Sequence, residues 1–182
     1  MKKSAQQTKL FKLVLTALLI ALNLVLERLV PSYKIWSQDL SFGFIAVAFA
    51  AAFLGTPYAA AVAGIGDLIG SLLFPFGAYF PGFTLTNCVY GIILGEFLYK
   101  NATWFKIIIC IILNKLVCSL LLNTIWISLM YRGGIDAYFA VLVTRFPQAI
   151  IMSVAEFIIF LAVFSSHSKI RSGLNKSIKK FL

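Results

Sequence analysis

Apolar residues fill six stretches of the chain, and shorter polar or turn-forming stretches separate them. A helix that spans a membrane takes about 20 mostly apolar residues, which is close to the length of most of these stretches. The pattern predicts an all-α integral membrane protein in which residues 1–182 form a single bundle of six transmembrane helices. The predicted helices cover about residues 10–30, 41–54, 58–74, 83–99, 107–131 and 140–164.

The connection between the third and fourth predicted helices is rich in aromatic residues. Residues 70–87 read GSLLFPFGAYFPGFTLTN, and their prolines and glycines disfavour a continuous helix. The stretch has no charge, and it carries flat side chains, among them Phe74, Tyr79 and Phe80, that can stack on a ring. Two interpretations stay open, namely the wall of a pocket for a flat aromatic ligand and an aromatic anchor at the membrane surface.

Composition and charge support a membrane location. The chain is 61% hydrophobic and 12% charged, and its mean hydropathy of +0.95 excludes an ordinary soluble domain. The net charge of +10 is concentrated before the first apolar stretch and after the last one. Such clusters stay on the cytoplasmic side and contact anionic lipid, so they predict cytoplasmic N- and C-termini and no nucleic-acid partner. The connections at 31–40, 75–82 and 132–139 would then share the outer face, where a site would open outward.

Several ionisable residues fall inside the apolar stretches. Each costs roughly 2.5–3.5 kcal/mol near the middle of a spanning helix, so each needs a partner or a role. Asp67, Lys115 and Glu156 are predicted to neutralise one another, with a proton relay as the alternative. Arg28 and Arg145 lie near the outer ends of their helices, where they either extend to the headgroups or hold an anionic ligand.

Amide and aromatic residues share helical faces at a similar depth. Gln148 follows Arg145 by three residues, and the pairs Asn123 with Trp126 and Asn87 with Tyr90 have the same spacing. An amide in a membrane needs a hydrogen-bond partner, which is either a neighbouring helix or a ligand. The sequence also shows no metal-ligand spacing, no disulfide framework and no ATP-binding loop, so we expect no metal and no cofactor.

Several motifs resemble those of a known family, the substrate-binding S components of energy-coupling-factor (ECF) vitamin transporters, and within it the folate-specific branch. The resemblance spans about residues 10–165 and includes the six-helix layout. The motifs that carry it are Ala17-xxx-Ala21, the run SFGFI at 41–45, the segment 64–70 with Asp67, and above all LFPFGAYFPGFTL at 73–85.

The resemblance implies a subunit of the bacterial cell membrane that captures folate from outside, with a membrane scaffold (T) subunit and two ATPase subunits as partners in the lipid bilayer. In that family an alanine motif in the first helix contacts the scaffold, which gives Ala17 and Ala21 this expected role. Folate has a flat pterin and two carboxylates, which suit aromatic faces, amides and cations. The predicted substrate-binding residues are Arg28, Phe74, Tyr79, Phe80, Asn87, Tyr90, Asn123, Trp126, Arg145 and Gln148.

Other functions remain as alternatives. An S component for another vitamin, such as riboflavin, would also use aromatic residues but would not need the arginines, because riboflavin has no carboxylate. An intramembrane enzyme lacks support, since the chain has neither a Gly-x-Ser-x-Gly nor a His-Glu-x-x-His motif, and its one histidine is His167 in the C-terminal tail. A structural subunit would leave the outer amides and cations unexplained.

Overall fold

The fold was analysed in a computed structural model, which describes residues 2–29, 33–35, 38–40, 42–75, 78–99, 103–131 and 138–165. Its helices overlap all six apolar stretches of the sequence. They are α1 (Lys2–Leu24), α2 (Phe44–Phe53), α3 (Thr56–Leu73), α4 (Pro81–Leu98), α5 (Trp104–Asn114), α6 (Thr124–Tyr131) and α7 (Tyr138–Ser165).

Two stretches of π-helix extend or join these helices. The first, Val25–Leu29, continues α1, and the second, Lys115–Asn123, joins α5 to α6 into one long helix. The helical class of the fold is confirmed. The π-helical stretches were not predicted, because hydrophobic periodicity does not distinguish a π turn from an α turn over so few residues.

A short antiparallel β-hairpin lies between the first π-helical stretch and α2. Its strands are β1 (Tyr33–Ile35) and β2 (Gln38–Leu40), and Tyr33 pairs with Leu40 in the register. The prediction of an all-helical chain missed this hairpin. Strands of three residues are too short to show an alternating pattern.

Three helical spans in the described part of the chain are long and apolar enough to cross a membrane. They cover Lys9–Arg28, Thr56–Leu73 and Trp104–Met130. The two halves of α7, Tyr138–Pro147 and Ala149–Leu161, meet at a bend of 42° and together would make a fourth. Pro147 explains the bend, since proline removes a helical hydrogen bond and crowds the preceding turn.

Helices α3 and α4 form the most extensive helix pair and hold the core with α2. Proline stands in the first turn of both, where no helical hydrogen bond is lost. Gly91 of α4 lies against the backbone of α3, because a Cβ there would come within 2.5 Å of the Ala59 carbonyl oxygen. Small residues therefore let these backbones approach closely.

Helix α2 is short and almost entirely enclosed by its neighbours. Ala46, Ala48, Ala50 and Ala51 are fully buried, and the ring of Phe44 meets that of Phe160 edge to face with a centroid distance of 6.0 Å. Alanine leaves room for the surrounding helices to pack on the α2 backbone. This arrangement sets the N-terminal end of α2 beside α1 and α7, where the candidate site lies.

Candidate functional site

A cavity of about 210 Å³ opens among the helices. Its lining comes from both π-helical stretches and from α1, α2, α3, α4, α5 and α7. Four charged side chains and four amides lie along it, although such groups are costly inside membrane helices. The charged residues are Glu27, Lys115, Arg145 and Glu156, and the amides are Asn23, Asn87, Asn114 and Asn123.

Both π-helical stretches contribute side chains to this cavity. Glu27 belongs to the first, and Lys115 and Asn123 begin and end the second. Just beyond it, the Thr124 hydroxyl donates a hydrogen bond of 3.2 Å to the carbonyl oxygen of Ser119, five residues earlier. Turns of this width are rare and occur frequently at functional sites, because they change which side chains point to one side of a helix.

Arg145 has the most unusual surroundings in the cavity. The residue is 5% exposed, yet its Nε and Nη1 atoms have no hydrogen-bond partner among the described residues. The Tyr90 hydroxyl and the Asn123 Oδ1 atom are likewise buried without a partner in that part of the chain. Buried polar groups normally make hydrogen bonds, and a lone buried cation is costlier still. Three such groups on one cavity indicate a binding site that includes a negative charge.

An ion pair lies on the same cavity, formed by residues from two helices. Lys115 Nζ is 2.7 Å from Glu156 Oε1, and both side chains are largely buried. The prediction that the intramembrane acids and the lysine neutralise one another is correct for this pair. It is wrong for Asp67, which interacts with Arg28 instead.

Arg28 lies at the contact between α1 and α3 and is not among the residues that line the cavity. Its Nη2 atom is 3.8 Å from Asp67 Oδ1 and 3.3 Å from the Ser71 hydroxyl, and its Nη1 atom donates to the Phe74 carbonyl oxygen at 3.3 Å. The guanidinium therefore connects the end of the first π-helical stretch to the C-terminal end of α3. It was predicted to bind substrate, and the structure places it beside the cavity in an interhelical network.

The same network extends to the aromatic connection. The Thr84 hydroxyl donates to Asp67 Oδ2 at 2.6 Å, and the Tyr79 hydroxyl is 3.3 Å from Thr84 Oγ1. Tyr79 is 40% exposed and Phe74 is 44% exposed, and neither lines the cavity. These two aromatic residues therefore lie on the surface of the described structure.

Phe80 and Trp126 contact each other, and neither residue lines the cavity. Their ring centroids are 5.5 Å apart. Trp126 Nε1 donates a hydrogen bond of 3.0 Å to the hydroxyl of Thr86, which lines the cavity. Gly82 lies against both rings, because a Cβ there would come within 2.5 Å of Phe80 and 2.7 Å of Trp126. Phe80, Gly82 and Trp126 therefore pack the N-terminal end of α4 against α6.

Of the predicted binding residues, the structure brings four together on the cavity. These are Asn87, Tyr90, Asn123 and Arg145. Gln148 belongs to α7, but its side chain lies outside the part of the structure that is described.

Sequence reasoning missed Asn23 and Glu27, which also line the cavity. Asn23 is 2% exposed, and its Nδ2 atom donates a hydrogen bond of 3.2 Å to Glu27 Oε2. The i, i+4 spacing of an amide and a carboxylate in an apolar helix was a signal that could have identified them. Both residues lie near the end of the first predicted helix, where polar residues usually mark the boundary of a span.

Ala17 and Ala21 lie on a different surface. Both are exposed on α1, with Leu18 and Leu22 exposed beside them. The face is apolar and belongs to the first of the spans long enough to cross a membrane. Ala17 and Ala21 are therefore not enclosed by other helices in the described part of the chain.

A family model matches most of the chain. The family is described as "ECF transporter, substrate-specific component", and the match covers residues 11–164. This range includes the cavity and the alanine pair.

Curated relatives and a solved structure are similar over most of their length. The Folate transporter FolT of Clostridium novyi (strain NT) is 32% identical over 141 residues, which are 77% of this chain and 80% of the relative. The Folate transporter FolT of Leuconostoc mesenteroides subsp. mesenteroides is 31% identical over 143 residues, 76% of each chain. A crystal structure of FolT bound with folic acid has a TM-score of 0.75 and 33% identity, and the match covers 83% of this chain and 90% of that one.

Proposed function

Because this chain belongs to the family of substrate-specific components of ECF transporters, we propose that it binds folate and delivers it for uptake. The relatives named folate transporters and the solved structure with folic acid support this substrate. Members of this family are transport components, and the chain is not an enzyme. It acts as a membrane protein, as its apolar helices indicate.

The observation that carries the substrate proposal is the buried, unpartnered guanidinium of Arg145 on the cavity. Folate ends in a glutamate with two carboxylates, and a guanidinium can hold a carboxylate through two parallel hydrogen bonds. Tyr90 and Asn123 supply further polar atoms without partners in the described structure. The amides can bind the edge of the pterin, which carries both donors and acceptors.

The partners and the topology belong to the same proposal. A membrane scaffold subunit and two ATPases would supply the energy for uptake, with the exposed Ala17 and Ala21 face on the scaffold. The chain would lie in a bacterial cell membrane, cross it six times and keep both ends in the cytoplasm. The basic clusters near both ends support this orientation. The cavity would then receive folate from outside.

The substrate is tested by titrating the purified, detergent-solubilised chain with folate and with riboflavin while tryptophan fluorescence is recorded. Trp36, Trp104 and Trp126 supply the signal. We expect one-to-one quenching by folate and no response to riboflavin. Tight binding of riboflavin without binding of folate would contradict the proposal and favour the alternative vitamin.

The role of Arg145 is tested by Arg145→Gln. The substitution removes a buried cation from its ligand carboxylate, so folate affinity should fall by about 2–5 kcal/mol. Lys106→Gln, which removes an exposed cation at the start of α5, is the matched control and should bind folate like the native chain. Equal folate affinity of Arg145→Gln and the native chain would contradict the assignment of the glutamate tail to Arg145.

A further inference from the structure

Among the described residues, two of the four charged side chains on the cavity form an ion pair, and the other two, of opposite charge, belong to no ion pair, although the charge of Arg28 acts on Glu27. Lys115 and Glu156 bind each other at 2.7 Å. Glu27 and Arg145 form no ion pair with any described residue. The cavity therefore offers a carboxylate as well as a guanidinium, and a ligand that satisfies both must carry donors as well as a negative charge.

The carboxylate of Glu27 is held by a neighbouring amide. Asn23 Nδ2 donates to its Oε2 atom at 3.2 Å, and both residues line the cavity. A single hydrogen bond uses only part of the capacity of a carboxylate, which has about four lone-pair sites. Glu27 can therefore accept further hydrogen bonds from a molecule in the cavity.

Two glycines, one in α3 and one directly before α2, enclose this pair of side chains. A Cβ at Gly66 of α3 would lie 2.6 Å from Asn23 Nδ2, and a Cβ at Gly43 would lie 2.9 Å from Asn23 Oδ1 and 3.3 Å from Glu27 Oε2. Any side chain at these positions would displace Asn23 or Glu27. The surrounding helices thus fix the orientation of the carboxylate before a ligand arrives, as expected for a specific polar contact.

We propose that Glu27, oriented by Asn23, binds the 2-amino group and the N3–H of the pterin, and so selects ligands with this donor edge. The assignment rests on the proposed folate function. In a pterin these two donors point in nearly the same direction, which matches the two oxygens of a carboxylate. Arg145 holds the carboxylates at the opposite end of the same molecule. The two residues therefore recognise the two ends of folate by opposite charge.

The native chain and a ligand series give the first test. The probes are folic acid, a folic acid analogue with a methyl group in place of the 2-amino group, pteroic acid without the glutamate, and p-aminobenzoylglutamate without the pterin. We expect the native chain to bind the methyl analogue about 10- to 100-fold more weakly than folic acid, the loss of a hydrogen bond to a charged group. Equal affinity for the two would overturn the assignment without any variant.

Glu27→Gln gives the second test, because glutamine keeps the shape but donates where a carboxylate accepts. The variant should bind folic acid and pteroic acid about 10- to 100-fold more weakly and should bind p-aminobenzoylglutamate like the native chain. Its preference for folic acid over the methyl analogue should disappear. Glu96→Gln is the matched control, since Glu96 is exposed on α4 and accepts a hydrogen bond from Thr56 away from the cavity.

The outcomes separate this inference from the proposed function. Folic acid binding by the native chain together with an unchanged preference in Glu27→Gln overturns the role of Glu27 alone. Weakened p-aminobenzoylglutamate binding in Glu27→Gln also overturns it, because the residue would then act on the whole cavity. No folic acid binding by the native chain overturns both. If Glu27→Gln does not fold, the comparison of folic acid with the methyl analogue on the native chain decides the question.

Discussion

Two arginines near the outer ends of their helices differ in their surroundings. The sequence treats Arg28 and Arg145 alike, because each lies near the outer end of a predicted helix. In the structure Arg28 contacts Asp67, Ser71 and the carbonyl oxygen of Phe74, whereas the Nε and Nη1 atoms of Arg145 have no partner among the described residues. The acids and hydroxyls that decide between these outcomes come from other helices, so the residue itself does not reveal its role.

Arg28→Ala tests the structural role of the first arginine. The change leaves Asp67 buried without its cation, so the free energy of unfolding should fall by about 1.5–3 kcal/mol. The measurement is the melting temperature of the purified chain without ligand. Arg28→Lys should melt between the native chain and Arg28→Ala. A native melting temperature with lost folate binding would instead support the substrate-binding role predicted from the sequence.

Glu27 and Asn23 show what limits site prediction at this scale. Their proximity follows from helical spacing, but their enclosure depends on Gly43 and Gly66, which lie far along the chain. In contrast, Asn123 and Tyr90 could be selected from the sequence, because an amide or a phenol in an apolar helix is conspicuous by itself. Chemically unusual residues were predictable, whereas their partners on other helices were not.

At the scale of elements, the close contact of α3 and α4 depends on glycine. Gly91→Ala would place a Cβ 2.5 Å from the Ala59 carbonyl oxygen, and the contacting atom belongs to backbone that cannot rotate away. Alanine is the better helix former by about 1 kcal/mol, yet overpacking costs about 1–3 kcal/mol. We therefore expect a lower melting temperature. Ile92→Ala, at an exposed position one residue on, should leave it nearly unchanged. A Gly91→Ala variant that melts higher would show that the helices separate without cost.

The elements differ in how far their sequence specifies them. The turn between α2 and α3 is marked in the sequence by Gly-Thr-Pro at 55–57, and Gly55 has a φ of 100°, which favours glycine. The π-helical stretches and the β-hairpin were not predicted. Whether a turn contains one more residue depends on packing against neighbouring helices, which local periodicity does not contain.

At the scale of the whole molecule, binding and energised uptake are expected to depend on different surfaces. Ala17→Trp enlarges the exposed face of α1, and Ala17 is not among the residues that line the cavity. The isolated variant should bind folate like the native chain, and cells that also express the scaffold and ATPases should lose folate uptake. Ile158→Trp is the control, since Ile158 is exposed on α7, which packs mainly on α5, α6 and the second π-helical stretch rather than on α1. Normal uptake by Ala17→Trp would contradict docking at this face.

Membrane class was predictable from composition because it depends on the sum of many residues. The number of membrane crossings was harder to predict, since α2 has only ten residues and α7 bends at Pro147. An apolar stretch can be buried by lipid or by other helices, and its composition does not distinguish the two. The six crossings therefore stay a prediction.

The second π-helical stretch, Lys115–Asn123, uses more residues per turn than an α-helix of equal length. A homologue with a regular α-helix here would need fewer residues between the positions of Lys115 and Trp126 to cover the same length. Sequence alignments of this family should therefore show a gap inside this transmembrane helix, where gaps are otherwise placed in loops. The length of the chain can change at this point during evolution while both ends of the helix stay in place.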